Sequence, residues 1–335
     1  MRLLVTMAVP DTNLPWTTKT QTTSQEPVFR CARIEVLDWD RKECVKQIEH
    51  RPPPEHLAEG FSVRFTGGCA WKGKWFQTTS TELVIFDLAH WSKERVISHS
   101  SFNDVHGVAI DDDEIAIVNT GLELIQFLDH RGKIVREVNV ASQPTWERFD
   151  RNTDYRKVES TKPHEVHVNH AFKIDGQWWA TRCLKSDAIN LENPNDRIEI
   201  PVGQPHDGIV RGDFVYFTTT NGHVVIADVA TRKVCEVIDV NELDPVAGLK
   251  GWCRGLEIEG DFAYVGFTRF RRSKWRETFR VVKDMVRGAS RISHINKINL
   301  KHKKLVETYT YDGMNSVAIF ALADYDRVIR TPQNA

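Results

Sequence analysis

Apolar and polar residues alternate along most of this chain in short runs that are cut by tight Gly/Asp turns. That two-residue period predicts antiparallel strands rather than helices. One phrase recurs five times: a polar leader, an apolar strand, a turn, a second strand ending in Thr or Ser, and a third strand. It reads GCAWKGKWFQTTST from Gly68, HGVAIDDDEIAIVNTG from His106, HAFKIDGQWWATRC from His170, HDGIVRGDFVYFTTT from His206 and RGLEIEGDFAYVGFT from Arg254. In the last four, six residues separate the leader from the turn position at Asp112, Gly176, Gly212 or Gly260, and the same count back from Gly73 reaches Gly67. Fourteen residues beyond the leaders stand Thr81, Thr120, Leu184, Thr220 and Thr268. A third strand tends to end on Asp or Asn, as at Asp87, Asp129, Asp228 and Asn299.

A repeat of roughly 45 residues with about four strands per unit predicts an all-β fold, a β-propeller of small twisted sheets arranged around an axis. The chain ends supply a sixth blade. NSVAIFAL from Asn315 predicts its inner strand and YDRVIR a second, with FRCARIEVLD (Phe29–Asp38) and ECVKQIEH (Glu43–His50) completing the sheet. Pairing the two ends removes exposed sheet edges. TNLPWTTKTQTTSQEP reads as a linker, so residues 1–27 are expected to be an extension and 28–331 a single propeller domain. MRLLVTMAVP is expected either to pair with a blade edge or to be disordered, and it is too short to be a convincing signal peptide.

Composition narrows the function classes. With 335 residues, 41% of them hydrophobic, and a formal net charge of −1, the chain can bury a large core and gives no electrostatic reason to expect nucleic acid. No stretch approaches the length of a membrane span. The six cysteines (Cys31, Cys44, Cys69, Cys183, Cys235, Cys253) lie singly without CxxC spacing, so buried thiols in a reducing, cytoplasmic compartment are expected rather than a disulfide or zinc-ribbon framework. Of ten tryptophans, Trp71, Trp75, Trp178 and Trp179 fall on strands and are expected to pack between blades. GxGxxG, P-loop and GxSxG patterns are absent, which argues against nucleotide chemistry and a serine nucleophile elbow.

Two insertions interrupt the blades. Ser142 to Pro163 is polar and predicts a loop over one face, where function often sits. In Phe270 to Ser293, residues Trp275, Phe279, Val282, Met285 and Val286 fall at helical spacing, predicting a helix inserted in the fifth blade. Nine Lys/Arg between Arg269 and Arg291 make it a candidate surface for a protein or anionic partner, although the solvated outer face of a docking helix is the more ordinary account, since charge runs are usually solvated.

The chemistry is expected where the leaders converge. Inner strands border a central channel, so Gly67, His106, His170, His206, Arg254 and Asn315 form a ring. Neutral imidazoles are standard ligands for zinc, iron, copper or manganese, and three of them leave a coordination position open. PHEVHVNH leaves the third-blade member open among His164, His167 and His170, since PHE at 163–165 echoes PHD at 205–207. Arg254 suits a carboxylate or other anion, with Asn315 orienting it. Glu165 and Asp207 follow Pro-His and are candidate proton carriers or imidazole-orienting carboxylates. Asn119, Arg182 and Arg269 are candidate members of an anion pocket. A polar channel without metal would use the same residues to bind backbone and water.

HGVAIDDDEIAIVNTGLELIQFLDHRGKIV resembles an NHL-type repeat. PHDGIVRGDFVYFTTTNGHVVIADVATRKV together with GWCRGLEIEGDFAYVGFTRFRR resembles an uncharacterised bacterial propeller family, well over 205–272 and moderately over 105–135. This resemblance implies the fold more than an activity. In channel layout the set His106, His170, His206 and Arg254 is also remotely similar to peptidyl-hydroxyglycine amidating lyase, a six-bladed propeller with a zinc held by three channel histidines beside an arginine. Here the histidines fall in consecutive blades and the flanking motifs do not match. Together these readings favour a metal-dependent lyase, hydrolase or isomerase acting on a small anionic or carbonyl-bearing molecule in the channel. A non-catalytic ligand-binding channel and an interaction scaffold are the alternatives.

Overall fold

A computed structural model describes residues 1–10, 29–245, 251–269, 292–311 and 317–330. The chain opens with β1 (Arg2–Pro10), β2 (Phe29–Asp38) and β3 (Glu43–His50). The first full blade follows as β4 (Phe65–Trp71), β5 (Lys74–Thr79), β6 (Leu83–Asp87) and β7 (Ser92–Ile97). The second is β8 (Val105–Ile110), β9 (Ile115–Asn119), β10 (Leu124–Leu128) and β11 (Ile134–Asn139). The third is β12 (Val168–Ile174), β13 (Gln177–Arg182), β14 (Asp187–Asn190) and β15 (Arg197–Glu199). The fourth is β16 (Pro205–Arg211), β17 (Phe214–Thr219), β18 (His223–Asp228) and β19 (Val234–Asp239), and the fifth is β20 (Trp252–Glu259), β21 (Phe262–Thr268), β22 (His294–Asn299) and β23 (Lys304–Thr310). Each is a four-stranded antiparallel sheet, and a sixth sheet has the order β24 (Ala318–Asp324), β1, β2, β3.

The chain is therefore a six-bladed β-propeller closed by its two ends, with two corrections to the expected seam. The second strand of the closing blade is β1, which pairs with β24 on one side and β2 on the other. The N-terminal ten residues thus belong inside the domain rather than to an extension reaching residue 27. YDRVIR is a short helix, α3 (Tyr325–Arg330), not a strand. Tyr325 and Val328 lie three apart and are both buried, while Asp326 pairs with Arg2. One helical turn thus buries an apolar pair that a strand would turn to opposite faces. The helix expected in the fifth-blade insertion falls on residues 270–291, outside the described residues.

Six apolar clusters fill the six gaps between blades, which is what holds a ring of otherwise separate sheets together. Phe76, Leu83 and Ile85 meet Phe102, Val105 and Ile117 between the first and second blades. Leu3, Val5 and Trp39 meet Tyr264 and Ile295 between the fifth and sixth. Trp75, Trp178 and Trp179 are buried as expected, whereas Trp71 is only half-buried and stacks on His130. The outermost strands are polar, as in the exposed Ser92–Glu94 of β7 and Glu43–Gln47 of β3, and their charges discourage edge-to-edge pairing. All six cysteines are free thiols, with Cys44 and Cys235 exposed. No helix among the described residues is long and apolar enough to cross a membrane.

Side-chain hydroxyls link neighbouring blades close to the axis. Thr6 donates to the Thr66 carbonyl, Thr66 to that of Val105 and Thr120 to that of Val168. Thr181 donates to the Asp207 carbonyl and Thr268 to that of Ile319, while the amide of Gly255 donates to the Asp207 carboxylate across the fourth gap. The small hydroxyl explains Thr120 and Thr268 at the end of the repeated phrase.

One buried carboxyl lies outside this pattern. Glu35 is fully buried in β2 beside the hydroxyl of Tyr311, and neither group makes a hydrogen bond of normal geometry. Burial pushes the Glu35 carboxyl above its ordinary range, against weaker opposing effects of Tyr311 and Arg33. A raised folded-state pKa favours the protonated fold, so this group's contribution is full below the ordinary carboxylate range and is lost as pH rises through the folded value. Glu35→Gln is expected to raise the Tm by a few degrees at pH 8 and to have little effect at pH 4. Thermal melts at the two pH values check this, and an equal shift at both would refute it.

Candidate functional site

Every inner strand carries an irregularity close to its start. Register shifts fall between Phe65 and Gly68, Val105 and Gly107, Val168 and His170, His206 and Ile209, and Cys253 and Leu256. The β24 pairing shifts likewise between Ala321 and Ile319. A β-bulge adds one residue and re-aims its side chain. In the second blade that residue is His106, and in the third it is Asn169 rather than His170. The leaders therefore do not form one equivalent ring.

His106 is the centre of the cluster that results. Its ring lies edge-on to His167 with centroids 4.9 Å apart and 6.4 Å from that of His206. His167 in turn meets His164 at 5.1 Å, with the two Nδ1 atoms 2.8 Å apart. Asp104, two residues before His106, sets Oδ1 3.3 Å from His106 Nε2 and is ion-paired to Arg64, which enters from the first blade. Sequence reasoning missed Asp104, Arg64 and Asn169 because they lie outside the leader register. The available signal was their closeness to it, since Asp104 precedes His106 by two and Asn169 adjoins His170.

Proton positions follow from the neighbours. Asn169 donates its amide to the Pro205 carbonyl at 3.1 Å, which turns Oδ1 toward His106 Nδ1 at 2.9 Å. The Nδ1 of His106 must then carry a proton, and in the neutral ring a bare Nε2 faces the Asp104 carboxylate. Two acceptors 3.3 Å apart need a proton or a cation between them. On the other side, Thr161 donates to the Gly121 carbonyl at 2.6 Å and so receives His164 Nε2 at 3.3 Å. That leaves the His164 Nδ1 lone pair directed at His167.

Burial is the first cause of the electrostatics here. It lowers the pKa of His164, His206 and, well below the ordinary range, His167, and it brings His170 down to about 4. The same burial opposes ionisation of Asp104, but the positive fields of His106 and Arg64 outweigh it and hold the carboxyl well below its usual range. Burial opposes ionisation of Asp207 too, but the nearby His206 and His170 and the Thr218 hydroxyl outweigh it and hold the carboxyl below its usual range.

The remaining candidates divide. His170 packs between the backbones of Gly107 and Gly208, where added Cβ atoms would lie 4.0 Å and 3.2 Å from its ring. It stacks on Phe172 with centroids 6.4 Å apart. The Nδ1 of His206 is buried without a hydrogen-bond partner, 3.6 Å from Asp207 Oδ1. Asp207 Oδ2 is engaged by Thr218 and by the Gly255 amide. Arg254 donates to the Ile319 carbonyl at 3.1 Å and lies over the Phe320 ring at 3.9 Å, on the fifth-to-sixth blade side of the ring.

Three residues are held elsewhere. Glu165 accepts from Ser142 and pairs with Lys185, so it anchors the insertion instead of facing the histidines. Arg182 is bound to Asp187 at 2.9 and 2.6 Å, and Asn119 is buried against Ser101 and Gln126 inside the second blade. Arg269 stands at the end of the described segment with its amide on Ser293, and Asn315 lies outside the described residues.

Among the described residues, no three His, Cys, Asp or Glu side chains are already disposed around one ion position. The donor pairs are nonetheless spaced for a shared ion. Metal–nitrogen bonds of about 2.0–2.1 Å place two imidazole centres on one tetrahedral ion roughly 5 Å apart and their donor atoms about 3.3 Å apart. The ring separations of His106 with His167 and of His167 with His164, and the His106 Nε2–Asp104 Oδ1 distance, lie near those values, whereas the His164 and His167 Nδ1 atoms, 2.8 Å apart, are hydrogen-bonded to each other.

No family model matches the chain, and no curated protein matches it. Among solved structures, a protein of unknown function from Bacteroides caccae superposes with a TM-score of 0.59 at 12% identity, over 96% of this chain and 97% of that one. Dihydro-heme d1 dehydrogenase NirN, in complex with DHE, gives a TM-score of 0.43 at 12% identity, over 97% of this chain and 81% of that one. The first likeness supports the propeller fold, and the second is too loose to add to it. Fold and site together define a six-bladed propeller with a half-buried histidine–aspartate cluster beside the starts of its inner strands.

Proposed function

We propose that the channel mouth binds one divalent transition metal and that the protein is a metal-dependent enzyme, of lyase, hydrolase or isomerase type, for a small anionic or carbonyl-bearing molecule. The observation that carries this reading is the 3.3 Å contact between His106 Nε2 and Asp104 Oδ1, where either a second ring proton or a bound cation must sit once Asn169 has fixed the proton on Nδ1. His106, His164 and His167 would hold the ion with Asp104, replacing the expected set of His106, His170 and His206. When bound, such an ion polarises a carbonyl or acidifies a bound water. Arg64, paired with Asp104, and Arg254, close enough to be felt by His206, would supply positive charge for an anionic substituent. Asp207 lies 3.6 Å from the His206 imidazole and would act on it through its charge, since its carboxylate takes its hydrogen bonds from Thr218 and the Gly255 amide.

The test is metal content of purified, untagged protein after reconstitution with zinc, iron, copper or manganese, followed by a turnover screen over small carboxylates and carbonyl compounds. About one equivalent per chain is expected. No uptake of any of the four metals would refute the metal site, and uptake without turnover would support the ligand-binding alternative. The scaffold alternative rests on residues 270–291, outside the described residues.

A further inference from the structure

The hairpin turn of the second blade contains a carboxylate that the cluster above does not use. Glu123, between β9 and β10, is fully buried and stands at φ 54°, a left-handed backbone that aims its side chain across the blade gap. Its Oε1 accepts the amides of Val166 at 2.5 Å and His167 at 3.1 Å. Its Oε2 accepts Arg148 Nη1 at 2.6 Å. Arg148 closes α1 (Thr145–Arg148), the short helix inside the 142–163 insertion. One carboxylate therefore joins three elements that are distant in sequence: the β9–β10 turn, the insertion and the segment carrying His164 and His167.

The segment is gripped on its other side as well. The carbonyls of Val166 and His167 accept the amides of Leu184 and Cys183, at 3.0 and 3.1 Å. His167 itself has φ 49°, unusual for a residue with a β-carbon. Backbone held this way needs every polar group satisfied, because an unpaired buried amide costs more than an ordinary hydrogen bond contributes. Glu123 meets both amides flanking the turn and so decides where the His167 ring stands relative to His106.

We infer that Glu123 is a positioning residue for the channel-mouth metal site, and that Arg148 makes the 142–163 insertion part of that positioning. The inference rests on the proposed metal reading for its functional meaning, while the clamp itself is independent of it. Groups that orient ligands in this way change metal affinity by about 10- to 100-fold when removed.

Cobalt(II) is the probe, because its visible absorption reports coordination geometry. Full-length wild type, Glu123→Gln and Arg148→Met are compared for cobalt affinity, the cobalt spectrum and amide hydrogen exchange at Val166 and His167. Arg148→Met removes the ion pair but leaves the carboxylate, so a fold-disrupting effect of Glu123→Gln does not leave the idea untested. Expected are faster exchange at both amides, cobalt affinity lower by about 10- to 100-fold and an altered spectrum in Glu123→Gln, with smaller changes of the same sign in Arg148→Met. Unchanged spectrum and affinity in both variants would overturn the positioning role. If the wild type takes up no cobalt, the metal reading fails, and the exchange data alone decide: protection lost in the variants supports the clamp, and protection retained overturns it.

Discussion

Replacing both His106 and His167 by alanine is expected to abolish metal uptake, lowering affinity by well over two orders of magnitude. Loss of groups that merely orient ligands already costs about 10- to 100-fold, and two ligands should exceed that. His170→Ala should leave uptake within a few-fold of wild type, since that ring is sequestered between Gly107 and Gly208. A competition titration with a chromophoric chelator distinguishes the pair of variants. Equal losses in the double variant and in His170→Ala would put the site in the leader ring read from the sequence and refute the arrangement built around Asp104.

Asp207→Ala is expected to be the most damaging single change to stability, by about 3–5 kcal/mol, the cost of breaking a buried charged network from one side. The carboxylate is engaged by Thr218 and by the Gly255 amide of the next blade, and its loss leaves that amide unpaired across the fourth gap. Because the folded-state pKa is lowered, the carboxylate's contribution is full above the ordinary carboxylate range and declines as pH falls through the folded value. The difference in unfolding free energy between wild type and variant should thus be constant from pH 6 to 8 and shrink below about pH 4. Chemical denaturation across that range measures it. A gap that widens toward acid would show that Asp207 acts through something other than its charge.

The propeller was legible because its signal is redundant. Five blades repeat the same leader-to-turn spacing, and a propeller tolerates no other use for alternating strands at that period. The seam was less legible for a physical reason. A central strand buried on both faces, such as β1 with RLLVTMAVP, shows no alternation and resembles any other apolar run. Six residues are likewise too few to separate the helical spacing of Tyr325 and Val328 from a strand.

At the site, sequence reasoning singled out histidines that the structure brings together, but it assumed one register for all blades. A bulge inserts a single residue without a compositional mark, so Asn169 and His170 exchanged places. His164 and His167 were left open for the same reason, because a left-handed residue at position 167 brings their rings together in a way that no periodicity shows. Glu165 was attractive because it follows a Pro-His, and Arg182 because its strand register turned it toward an anion pocket. The structure satisfies them through Lys185 and Asp187, partners that spacing alone does not announce.

The inner circle of hydroxyl bonds has a consequence for the chain's connectivity. Thr6 ties the closing blade to the first with the same kind of bond that Thr120 and Thr181 make elsewhere. The gap after the composite blade is thus held as the gaps between continuous blades are, and the ring does not depend on where the polypeptide is interrupted. Joining the present ends and opening the chain at an outer turn, such as the one between β18 and β19, would leave the same hoop with its channel mouth intact. The order of the blades around the axis, rather than their order along the chain, is what the molecule's architecture records.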